Sequence, residues 1–144
     1  MAGFLTEELA NAQITTATTT TLFTVPADHS YIIKLALYTI IEGASESTAS
    51  YLTLSDAAGA NDQKITPSFT TPAAAGSYIV NLAPPNVDLP SPAVLVDSVA
   101  TTQMNVSLFN ATLASGQILK LVTSSTWTNA TANIMINGID NTEV

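Results

Sequence analysis

From residue 13 onward the chain is a succession of short segments in which every second residue is apolar, with glycine, proline, asparagine, aspartate or serine between most of them. This pattern is the strongest constraint on the fold. A β-strand turns alternate side chains to opposite faces, so each such segment buries one face and leaves the other available. No segment carries the three- to four-residue apolar spacing of a long helix, which argues against parallel βαβ units. Residues 30–41 are the strongest strand. The odd positions Ile33, Leu35, Leu37 and Ile41 are predicted to form its apolar face, and Ile32, Lys34, Ala36, Tyr38 and Ile40 a mixed second face. A strand apolar on both sides belongs near the centre of a sheet.

Further strands are expected over 13–24, 50–55, 77–82, 94–96, 103–108, 117–122 and 130–136, and a weaker one over 64–69 that Pro67 confines to an edge. The proline-rich stretch 83–92 reads as an extended connection, because proline lacks the donor a central strand needs. Eight or nine short strands predict an all-β fold: an antiparallel β-sandwich, jelly-roll-like, with a closed barrel as the alternative. Residues 1–12 read differently. Phe4, Leu5, Leu9 and Ala12 lie on a loose helical stripe, so this segment is expected to be a short N-terminal arm of one or two helical turns, docked on its own domain or a neighbour. The expected organisation is an arm over 1–12 and a single sandwich domain over 13–144.

Composition narrows the function. Only 10% of residues are charged, against roughly 25% in an average globular protein, and 22 threonines supply hydroxyls in place of charge. Three lysines, no arginine and a formal charge of −8 argue against nucleic acid and anionic membranes, which need clustered cations. No cysteine is present, so disulfides, thiolate catalysis and cysteine-type zinc sites are excluded. The first twelve residues lack the basic start and apolar core of a secretory signal, and the run around 31–41 is too short to span a bilayer as a helix. The chain is expected to fold in a cytoplasm.

Candidate chemistry is sparse. The sole histidine, His29, lies between Asp28 and Ser30, and adjacent residues at a strand entrance seldom converge into a catalytic set, so a solvated turn is the expectation. Glu7 and Glu8 fall on the arm, Glu42 and Glu46 flank Gly43, and Asp56 and Asp62 bracket a loop without the dense oxygen-ligand pattern of a calcium site. No phosphate-binding glycine loop occurs. No catalytic residue, cofactor or metal is therefore expected. The sequons at Asn105, Asn110 and Asn129 match what chance yields in a chain so rich in asparagine, serine and threonine. Trp127, in a loop between the last two strands, is expected either to cover the end of the sandwich or to serve as an exposed anchor.

The stretch Thr21-Leu22-Phe23-Thr24-Val25-Pro26-Ala27, followed by an aliphatic strand, resembles a pattern common in small β-sandwich proteins of tailed-bacteriophage virions. Physically, Pro26 holds Val25 extended and presets a reversal. The chain departs from the pattern at Asp28, where glycine is usual, and at Glu42-Gly43, where asparagine often closes the second strand. The resemblance covers about 25 residues. It implies a non-enzymatic virion protein, foremost a capsid decoration (cement) protein: a homotrimer seated on the major capsid protein, acting by surface complementarity, with Phe4, Leu5 and Leu9 as apolar anchors. The alternative it implies is a tail-fibre or adsorption module that recognises a carbohydrate through Trp127 or Tyr51.

Overall fold

The computed structural model describes residues 6–16, 18–42, 49–70, 76–83, 94–96, 100–108, 112–124 and 130–142. These form two sheets packed face to face, an all-β sandwich with no helix among the described residues. The strands are β1 (Thr6–Ile14), β2 (Thr19–Thr24), β3 (Tyr31–Glu42), β4 (Ala49–Ser55), β5 (Gln63–Lys64), β6 (Phe69–Thr70), β7 (Gly76–Ala83), β8 (Val94–Val96), β9 (Ala100–Ser107), β10 (Thr112–Leu113), β11 (Ile118–Ser124) and β12 (Ala130–Asp140). The seven-stranded sheet runs β1-β12-β3-β7-β9-β8, with β10 beside β3. The five-stranded sheet runs β2-β11-β4-β5, with β6 beside β4. Among the described strands every pair is antiparallel except β7 and β9, which run parallel.

The core lies between the sheets. Ile33, Ala36, Tyr38 and Ile40 of β3 and Ala132, Ile134 and Ile136 of β12 face Leu119 and Leu121 of β11 and Leu52 and Leu54 of β4. A polar contact crosses this layer. The Tyr38 hydroxyl meets Ser50 Oγ at 3.2 Å, which satisfies a phenol that is otherwise fully buried. Pro67 sits where expected, between the two-residue strands β5 and β6 at the edge beside β4.

Three expectations are corrected. The helical turns proposed for 3–12 give way to strand β1 from Thr6 onward, which pairs with β12 from Thr6↔Ile139 to Ile14↔Ala132. A β-bulge at Leu9 puts the neighbours Leu9 and Ala10 both in the core, and this extra residue gives the segment its helix-like apolar spacing. The strand expected over 13–24 is divided between β1 in one sheet and β2 in the other. The predicted faces of β3 change parity midway. Asn137 pairs with Leu35 and Gly138 with Ile33, so Lys34 is the extra residue of a bulge. Beyond it the even positions Ala36, Tyr38 and Ile40 point inward, and Leu35 and Ile41 are 39% and 57% exposed.

Candidate functional site

Two features of the described molecule bear on function: a tightly hydrogen-bonded loop end, and the outer face of the seven-stranded sheet. The loop end begins at the Pro26 corner. His29 N donates to Pro26 O at 3.2 Å, which closes a turn whose third residue, Asp28, has φ 64°. Glycine usually occupies such a position, and aspartate is among the few residues that enter it readily. A second turn, over 114–117, has Gly116 at φ 78° in the same place. The two turns lock together: Val25 N donates to Gln117 O at 2.9 Å, Gly116 N to Val25 O at 3.2 Å, and Asp28 N to Ser115 Oγ at 2.9 Å.

His29 extends from this corner to the end of β12. Its Nδ1 lies 2.9 Å from Asp140 Oδ2 and 3.3 Å from Thr142 Oγ1. The Thr142 hydroxyl donates to Asp140 Oδ1, and Thr142 N donates to the same oxygen at 2.9 Å. These Thr142 donors, with His29 adding a smaller contribution, hold the Asp140 carboxyl below the usual carboxylate range. An ionised carboxylate can only accept, so Nδ1 carries the proton. Behind the histidine, Tyr31 stacks at 6.2 Å and meets Phe23 edge-on at 5.1 Å. Burial first, then the Glu7 and Asp140 carboxylates, push the Tyr31 phenol above its ordinary range. His29 is 43% exposed. It is thus a clasp between the β2–β3 turn and the chain's last strand, and its partners come from 111 and 113 residues away. No local signal announces that contact.

The loop over 56–62 is also internally satisfied. Asp56 Oδ1 accepts from Ala58 N at 3.0 Å and Ala60 N at 2.9 Å, and Asp56 Oδ2 accepts from Asn61 Nδ2 at 2.6 Å. Hydrogen bonds from Ala60 and Asn61 hold the Asp56 carboxyl below its usual range. Lys120 Nζ donates to Gly59 O at 3.1 Å and pairs with Asp62 Oδ1 at 3.3 Å. The cation this loop uses is an ammonium from β11.

The outer face of the seven-stranded sheet is different in kind. Across β1, β12, β3 and β7 it aligns Asn11, Met135, Leu37 and Asn81 in one row, and Gln13, Asn133, Thr39 and Ile79 in the next. Aliphatics and amides alternate there. Among the described side chains its charges are Glu8 and Lys34, while Glu7 is drawn to the Tyr31 phenol.

Of the residues singled out in the sequence, Leu9 is a core residue packed against Gly138, at 8% exposure. Phe4, Leu5 and Trp127 lie outside the described residues, as does Glu46. Tyr51 carries Lys64 Nζ over its ring, 4.0 Å from the centroid, so one π-face is already occupied. Glu42 ends β3, opposite Ala130 and Gly76. Among the described residues no helix is long and apolar enough to cross a membrane.

No family model and no curated protein matches the chain. Among solved structures it is similar to a chain in the structure of the infectious bursal disease virus Gx strain, with 13% identity and a TM-score of 0.39, over 92% of this chain and 31% of that one. It is also similar to a chain in the structure of PfGH50B, with 16% identity and a TM-score of 0.37, over 93% of this chain and 19% of that one. The chain spans about a third of the first and a fifth of the second. Neither likeness bears on what this chain does.

Proposed function

We propose that this chain is a non-enzymatic structural protein of a tailed-bacteriophage virion, a decoration protein that docks on the assembled head through the major capsid protein and stabilises it. In this reading it folds in the host cytoplasm and works on the particle. The observation that carries the reading is the backbone at Asp28. The resemblance rests on the residues leading into the Pro26 corner, and Asp28 is where this chain departs from the usual glycine. Its φ of 64° is the conformation for which glycine is used, so the departure in residue type preserves the shape of the corner. The surroundings support the same reading. The Asp56 and Asp140 carboxylates are engaged in bracing loops, and a braced sandwich offers rigid surfaces for a weak contact repeated over many copies.

Purified protein mixed with isolated heads and pelleted tests this directly. Saturable co-sedimentation in many copies per head is expected, along with heads that resist heat better once coated. Protein that stays wholly in the supernatant overturns the assignment.

A further inference from the structure

The outer face of the seven-stranded sheet has no covering layer among the described residues, yet it is built like a contact surface. Among the described residues Leu35 and Ile41 are the exposed large hydrophobics, and both lie on it. Leu37, Met135 and Ile79 are half-buried beside them. Exposed apolar side chains grouped on one face mark interaction sites more often than isolated ones do.

The chemistry of this face selects its occupant. Amides donate and accept in equal measure, so rows containing Asn11, Gln13, Asn81 and Asn133 can pair with an identical surface. The chain carries a net charge of −8, but among the described side chains Asp28, Asp56, Asp62 and Asp140 sit at the loop end and not on this face, so these four do not oppose one another when two copies meet here. The two charges present are opposite in sign and placed symmetrically. Glu8 of β1 pairs with Asn137 of β12, and Asn137 pairs with Leu35 of β3, next to Lys34. Strand β12 thus runs between a carboxylate on one side and an ammonium at the same height on the other. Among the described residues Lys34 is also the one lysine without a hydrogen bond or ion pair, since Lys64 and Lys120 are both engaged.

We infer that this face packs against the same face of a second copy, about a two-fold axis running along β12. Such a rotation lays β1 of one copy over β3 of the other. It brings Glu8 to Lys34 twice, as a two-fold contact requires. The face that meets its copy is limited to β1, β12 and β3, because β7 of each copy falls beyond the edge strand β1 of the other. Three strands about 4.8 Å apart, with a rise of about 3.3 Å per residue, make a plate of roughly 450 Å² in projection, which places this contact below the ~800 Å² per partner of a standard interface, among the weak, reversible ones. The resemblance to decoration proteins implies a trimer, whereas this pairing closes as a dimer.

The test is a charge reversal read by light scattering on the purified full chain, without heads. The expected mass is twice the 14.9 kDa of one chain. Lys34→Glu and Glu8→Lys each weaken association at least about tenfold by juxtaposing like charges, and the double reversal restores it. Leu35→Asp also yields monomer, with an unchanged β-type circular-dichroism spectrum, and serves should either reversal fail to fold. A monomeric wild type overturns the inference. So does a dimer or trimer indifferent to both single reversals, or a double reversal that stays monomeric. Because no heads are present, this result is separable from the co-sedimentation result.

Discussion

The two faces of the seven-stranded sheet are nearly equal in aliphatic content and opposite in situation. The inner face of β3 and β12 presents Ile33, Tyr38, Ile40, Ile134 and Ile136, all buried against the second sheet. The outer face of the same strands presents Leu35, Leu37, Ile41 and Met135. The inner aliphatics stabilise the fold because they leave water when the sheets meet, at about 25 cal/mol per Å² of apolar surface removed. Among the described residues no second layer covers the outer ones, and the exposed part of their apolar area is available for a partner. Aliphatic content alone therefore does not distinguish core from contact surface in this protein.

Matched substitutions on the two faces test that difference most strongly. Ile134→Ala, at a fully buried site, is expected to cost about 2–5 kcal/mol in urea unfolding. Leu35→Ser, on the same sheet but facing out, should stay within about 0.5 kcal/mol for the isolated chain. Equal losses at both sites would mean that the outer face is covered within the monomer.

A smaller effect is expected where the inner face meets its own edge strand. A Cβ on Gly138 would lie 2.6 Å from Leu9 Cδ1 and 2.8 Å from Ile32 O. The leucine tip can move, but the carbonyl belongs to the neighbouring strand. Gly138→Ala should therefore destabilise by about 1–3 kcal/mol. Leu9→Ala in the same chain should recover part of that loss if the leucine clash dominates, and a simple sum of the two losses would assign the strain to the β3 backbone.

The smallest expected effect concerns neither face but the loop end. Asp56 and Asp140 hold their protons less tightly in the folded chain than in the unfolded one. Their contribution is present above the ordinary aspartate pKa of about 3.9. It is lost as pH falls through that value and on through the lower folded ones, because the unfolded chain then binds more protons. Urea midpoints should fall with acidification below about pH 4, and Asp140→Asn should flatten that slope. An unchanged slope would mean that the hydrogen bonds Asp140 accepts, chiefly from Thr142, carry no stability.

Much of the architecture was legible in the sequence because it depends on local rules. The two-residue period, the turn residues between segments and the absence of a long helical pattern lead to an all-β sandwich, and Pro67 marks an edge by lacking a donor. The Pro26 corner was legible for the same reason. The site was less legible. Nothing near His29 points to Asp140 or Thr142, and the extra residues at Leu9 and Lys34 have no signature in composition.

The amino-acid sequence by itself therefore determined that this chain makes strands, where they turn, and that its surface relies on hydroxyls and amides more than on charge. The tertiary structure alone decided which side of each strand is the core. Side chains alternate with a period of two, so one unpaired residue at Lys34 reverses every assignment beyond it. Whether a residue is unpaired depends on the partner strand β12, which lies about a hundred positions away.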